Sequence, residues 1–159
     1  MLKTITKTAI IGAFCALTST AALAVEVKKE VVLGSDIATT WKKVGGWCAI
    51  ANWHPAVAKC EEVKKGNDLI RNLTLGDGAI IVEKFTKKTD TSYSYTIEKS
   101  PLPIANYAAT IEIAPEGKKT KLTWSSKFDA KGKTDKEAAD IIAGIYQAGF
   151  DALSKELGN

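Results

Sequence analysis

The chain has 159 residues, is 45% hydrophobic and 25% charged, and carries a formal net charge of +4. That is enough chain for one substantial core. Arg71 is the only arginine among 22 basic residues, which argues against a nucleic-acid surface built on planar guanidinium contacts; the scattered lysine doublets leave only a weak docking surface for an acidic protein.

Residues 1–24 read as a cleaved secretory signal peptide. Lys3 and Lys7 give a positive start, Ala9 to Leu17 an apolar run, and Ala22-Leu23-Ala24 an A-x-A cleavage site. The run is too short to span a bilayer comfortably and no stop-transfer pattern follows, so a periplasmic protein that does not span the membrane is expected. Cys15 follows the bulky Phe14, which speaks against lipid attachment. Cleavage would leave 25–159 as a single domain with 20 basic and 18 acidic residues, a net charge of +2.

The mature chain opens with Val25, Val27, Val31 and Leu33 on one face and Glu26, Lys28 and Glu30 on the other, a half-buried strand that only Lys29 breaks. Ser35 or Asp36 then offers an N-cap for a short helix to about Val44, ended by Gly45-Gly46. The stretch from Trp41 to Pro55 holds three of the four tryptophans. Large amphipathic rings on a glycine-broken connection suit the lid of an apolar cavity, or a plug at one end of a sheet. Cys48 and Cys60 survive processing, and an even count in an exported chain points to a structural disulfide. A metal pair is weaker, because His54 is the only histidine, and a redox pair would prefer C-x-x-C spacing.

Strand-like runs follow at 57–64, 69–75, 79–87, 92–98, 104–114 and 119–128, joined by turn-like connections such as Gly76-Asp77-Gly78 and Pro115-Glu116-Gly117. This is the pattern of an antiparallel meander. From Asp135 to Leu157 the period changes: Ile142, Ile145, Tyr146, Gly149, Phe150, Leu153 and Leu157 recur at three- and four-residue steps. The result is an amphipathic helix of roughly 34 Å whose stripe needs the meander's apolar face as partner. An α+β fold is expected, one long helix across a curved antiparallel sheet.

The order of these elements, with the segments WHP, SPLPIANYAATIEI and LTWSSKF, resembles the START/polyketide-cyclase helix-grip superfamily (SRPBCC). Within it the pattern is similar to exported methanol-oxidation accessory proteins of the MxaD type. The resemblance implies a curved antiparallel sheet gripping the C-terminal helix, two short helices after the first strand, and a cavity between sheet and helix. It also implies a small apolar or amphipathic ligand, or service to a periplasmic quinoprotein dehydrogenase or its cytochrome. The fold alone identifies no ligand.

If Leu75 pairs with Ala79 across a three-residue loop with Gly78 left-handed, Arg71 falls opposite Glu83 among apolar neighbours, as a structural pair or a ligand anchor. The candidate cavity lining is Tyr93, Tyr95, Tyr107, Trp124 and Phe150, with Trp53 and His54 near its mouth and Ala109, Ser126 and Gly149 leaving space. A dry, packed core competes with this reading. No residue stands out as catalytic: His54 precedes Pro55 without an evident nucleophile, and no G-x-S-x-G elbow or phosphate loop occurs. No cofactor or metal is expected. The enzymatic alternative is a cyclase, dehydrase or hydrolase using Arg71, Glu83 and the tyrosines.

Overall fold

The computed structural model describes residues 24–159, so the expected signal peptide, residue 24 excepted, lies outside the described residues. Seven strands form one sheet: β1 (Val25–Leu33), β2 (Val57–Lys65), β3 (Asp68–Leu75), β4 (Ile80–Lys88), β5 (Ser92–Lys99), β6 (Ile104–Glu116) and β7 (Lys119–Ala130). The order is β1-β7-β6-β5-β4-β3-β2 and every pairing is antiparallel, the expected meander with the first strand returned to pair with the last. The long helix α2 (Asp135–Leu157) packs chiefly against β1 and β7. Between β1 and β2 lie helix α1 (Ile37–Val44) and a 3-10 helix (Ala49–Asn52). This is the helix-grip arrangement.

Local chemistry sets the element ends. The Asp36 side chain accepts from the Thr39 backbone N–H and caps α1, which ends at Gly45. Thr134 and Glu137 form a reciprocal capping box that starts α2. Gly78 adopts φ +86°, and Leu75 N–H donates to Ala79 O at 2.8 Å. That three-residue turn fixes the β3–β4 register, with Arg71 opposite Glu83 as the glycine placement requires.

Alternation turns one side of the sheet inward. Tyr93 and Tyr95 of β5, Tyr107, Ala109, Ile111 and Ile113 of β6, and Leu122, Trp124, Ser126 and Phe128 of β7 are all buried. A bulge between Ala105 and Ala108, with Asn106 at φ +51°, also turns Ile104 into the core. From the helix come Ala138, Ile142, Tyr146, Gly149, Phe150 and Leu153. Cys48 and Cys60 are bonded, with Cα atoms 5.5 Å apart, tying the tryptophan segment to β2 as expected.

Candidate functional site

The concave face has a filled half and a hollow half. In the filled half, the Arg71 Nε–H donates to Glu83 Oε2 at 2.5 Å, and its Nη1 donates to the Trp47 carbonyl. The guanidinium carbon lies 3.8 Å from the Trp47 ring centroid, close to Tyr93 and Tyr95 as well. Trp47 meets Phe85 and Tyr93 edge-to-face at 5.2 and 5.8 Å. Burial pulls the Arg71 pKa down, but Glu83 and the neighbouring tyrosines more than offset it, leaving it raised. Burial drives the Glu83 pKa up, and Arg71 only partly counters this. Because Arg71 keeps its proton, a neutral Glu83 would strand a buried cation, which holds the pair ionised at neutral pH.

The hollow half is a cavity of about 170 Å³ between α2 and the sheet. Leu73, Ile81, Ile97, Leu102, Ile142 and Ile145 are among its apolar wall residues, with Tyr95, Tyr107, Trp124 and Tyr146 alongside them. Tyr146 of α2 stacks on Trp124 of β7 at 4.2 Å and 12° between planes. The polar tips of these rings bond one another. Trp124 Nε1–H donates to the Tyr95 hydroxyl at 3.0 Å, and the Tyr107 and Tyr146 hydroxyls share a hydrogen bond. Burial pushes all three phenols upward, so they hold their protons at neutral pH. What remains facing the void is almost wholly apolar surface.

His54 also borders the cavity, and both of its ring nitrogens are committed. Ala56 N–H donates to Nδ1 at 3.2 Å, so Nδ1 must accept, and Nε2–H donates to the Ile145 carbonyl at 2.9 Å. These two backbone groups fix a neutral tautomer, and burial lowers the His54 pKa. Gly149 makes this approach feasible. A Cβ there would come within 2.8 Å of both His54 and Trp53.

Of the residues expected at the cavity, His54, Glu83, Tyr95, Tyr107 and Trp124 border it. Four do not, and each for a packing reason. Trp47 covers Arg71 and Tyr93. Trp53 lies against His54 and Trp124, and Phe150 stands behind Trp124 at 6.5 Å. Ala109 and Ser126 also lie off the wall, and the room left by Gly149 is taken by the lid itself. Sequence reasoning placed Tyr146 on the helix's apolar stripe but not at the site. Its signal was a hydroxyl on an otherwise apolar face, which needs a buried partner.

Comparison with known proteins agrees with this architecture. A protein called XoxI from Bacillus cereus superimposes with a TM-score of 0.78 at 26% identity, over 83% of this chain and 94% of that one. A START superfamily protein from Mycobacterium smegmatis matches at TM-score 0.70 and 14% identity, covering 83% and 95% of the two chains. The Zhui aromatase/cyclase from a Streptomyces species matches at 0.66 and 13%, covering 83% and 92%. At such identities the last two show the fold alone. Comparison with curated proteins finds no match. Among the described residues no helix is long and apolar enough to cross a membrane, and the disulfide points to folding in an oxidising compartment. The family model described as polyketide cyclase / dehydrase and lipid transport matches residues 24–158, and the chain belongs to that family, with the helix-grip architecture of the START/SRPBCC superfamily.

Proposed function

We propose that the protein is a periplasmic binding protein that holds a small apolar or amphipathic molecule between α2 and the sheet. The observation that carries this reading is the apolar cavity of about 170 Å³, a void of a size that protein packing ordinarily closes. Its mouth is framed by half-buried Leu75, Ile97, Leu102 and Ile145, with exposed Ala56 beside them. An apolar probe should bind saturably and quench tryptophan fluorescence through Trp124. A folded protein that takes up none of a diverse set of apolar probes would remove the carrier reading.

Binding is favoured over catalysis by the state of the polar groups. His54 has neither nitrogen free, the hydroxyls of Tyr95, Tyr107 and Tyr146 bond each other or Trp124, and Glu83 is tied to Arg71 through one oxygen. A general base needs a lone pair within reach of a substrate proton. Among the described side chains of the wall, the cyclase, dehydrase or hydrolase alternative would therefore rest on the Glu83 carboxylate, whose other oxygen is held by Arg71.

The resemblance to MxaD-type proteins supports a second role, as an accessory factor to a periplasmic quinoprotein dehydrogenase or its cytochrome. Native mass spectrometry of protein taken from its own periplasm tests it. An intact complex with a dehydrogenase is the expected result, and a ligand-bound monomer alone would leave only carriage.

A further inference from the structure

We propose that the occupant is a neutral, single-ring-sized molecule bearing one hydrogen-bond donor, an aryl or alicyclic alcohol in chemical class, with its hydroxyl on Glu83. This rests on the binding reading above and narrows it.

Size is the first constraint. The cavity measures about 170 Å³. An engineered protein cavity of about 150 Å³ accepts benzene, whereas pockets for drug-sized ligands run from roughly 300 Å³ upward. A fused multi-ring product or a long acyl chain does not fit this volume.

The second constraint is the inventory of polar atoms on the wall. Trp124 Nε1 and the Tyr95 hydroxyl bond each other, as do the hydroxyls of Tyr107 and Tyr146, and His54 is held at both nitrogens. Glu83 supplies the carboxylate acceptor left over. It borders the cavity, Arg71 holds its Oε2, and Oε1 enters no hydrogen bond among the described residues. A carboxylate oxygen accepts and cannot donate, so the group that meets it must carry a hydrogen. The remaining wall is apolar and rewards a ring or compact hydrocarbon body.

Charge is the third. Arg71 and Glu83 are both buried and sum to zero. A carboxylate ligand would face Glu83 directly, and an ammonium would bring an unmatched charge into the same apolar space. A neutral donor avoids both costs.

The test titrates the folded, disulfide-bonded protein with benzyl alcohol and its isomer anisole, followed by NMR or calorimetry. Anisole has the same atoms but no donor, and a purely apolar cavity would prefer it. The expected result is saturable binding of both, with benzyl alcohol tighter by about tenfold, the size of one hydrogen bond to a charged group. E83Q should reduce benzyl alcohol affinity about tenfold while anisole affinity changes less than about threefold. Should E83Q fail to fold, the isomer pair on the unaltered protein still decides. Anisole binding more tightly than benzyl alcohol would overturn the donor assignment. Binding of palmitate or a fused-ring alcohol, with no uptake of either isomer, would overturn the ligand class and leave carriage standing. No uptake of any of these compounds would remove carriage itself.

Discussion

Trp47 and Trp124 mark two halves of one concave surface that use similar residues differently. Where Arg71, Phe85 and Tyr93 of β3–β5 face inward, Trp47 of the lid lies on the guanidinium and meets both rings, and none of these four residues borders the void. Where Leu73, Ile81 and Ile97 of the same strands face inward, a void opens towards Trp124, which is stacked by Tyr146 of α2. Tyr95 is the shared wall, 6.1 Å from Trp47 on one side and bonded to Trp124 on the other. Inward-facing aromatic residues therefore do not by themselves make a cavity. What decides is whether the covering segment inserts a ring of its own.

The strongest way to break the contrast is to disturb the filled half. R71M leaves Glu83 buried without its partner, and losing one member of a buried pair costs about 3–5 kcal/mol. The double variant R71M/E83M removes both charges and should recover most of that loss. Denaturant midpoints measure both. If the single and double variants unfold alike, the pair's charge balance does not hold this half together.

The next effect comes from the tether. Cys48 follows Trp47 directly, and its bond to Cys60 closes a loop with a sequence separation of 12. C48A/C60A should lose about 3 kcal/mol in the chain-entropy account. The same variant should loosen Trp47 from Arg71, read as a red shift in tryptophan emission before global unfolding. A stability equal to that of the parent would show that Trp47 packing alone fixes the lid.

These two experiments also separate what the sequence made legible from what it did not. Glycine at 76 and 78 with the alternation around it was enough to pair Arg71 with Glu83, because hairpin geometry is local. The strand runs, the C-terminal helix and the disulfide were legible for the same reason: period, caps and cysteine count are short-range signals. The division of the concave face was not legible. Tyr93 and Tyr95 have the same spacing and orientation, yet only Tyr95 borders the void, since Trp47, nearly fifty residues earlier, covers Tyr93. Likewise Gly149 signalled close approach, but Trp53 and His54 fill the space rather than a ligand.

Two glycines of α2 sharpen that last point. At Gly144 an added Cβ meets nothing within 4 Å, so G144A should gain up to about 1 kcal/mol from helix propensity. At Gly149 the same methyl meets the Trp53 and His54 rings at 2.8 Å. Overpacking of about 1–3 kcal/mol should outweigh the propensity gain, so that G149A is destabilised on balance. Thermal unfolding of the two variants should move in opposite directions. A shared direction would mean that the lid yields to α2 at little cost.

The smallest effect is a pH dependence at the seam where lid and helix meet. Burial lowers the His54 pKa below its ordinary 6.5, opposed in part by the bond to Ile145. The sign follows from linkage. The unfolded chain takes up the proton first, so neutral His54 contributes fully above about pH 6.5 and its contribution fades as pH falls through the lower folded-state value. Glu83 acts in the opposite sense: its pKa is raised in the folded chain, so its own contribution is present at low pH and is lost as pH rises through the folded value. The wild-type curve alone mixes the two. Subtracting the curve of H54Q isolates the histidine, because Glu83 is common to both proteins. Urea unfolding from about pH 8 down to about pH 5 should show the stability gap between wild type and H54Q narrowing steadily below the ordinary histidine pKa. A gap that stays constant across that range would mean that the imidazole is not held neutral between Ala56 and Ile145, and the lid would need another latch.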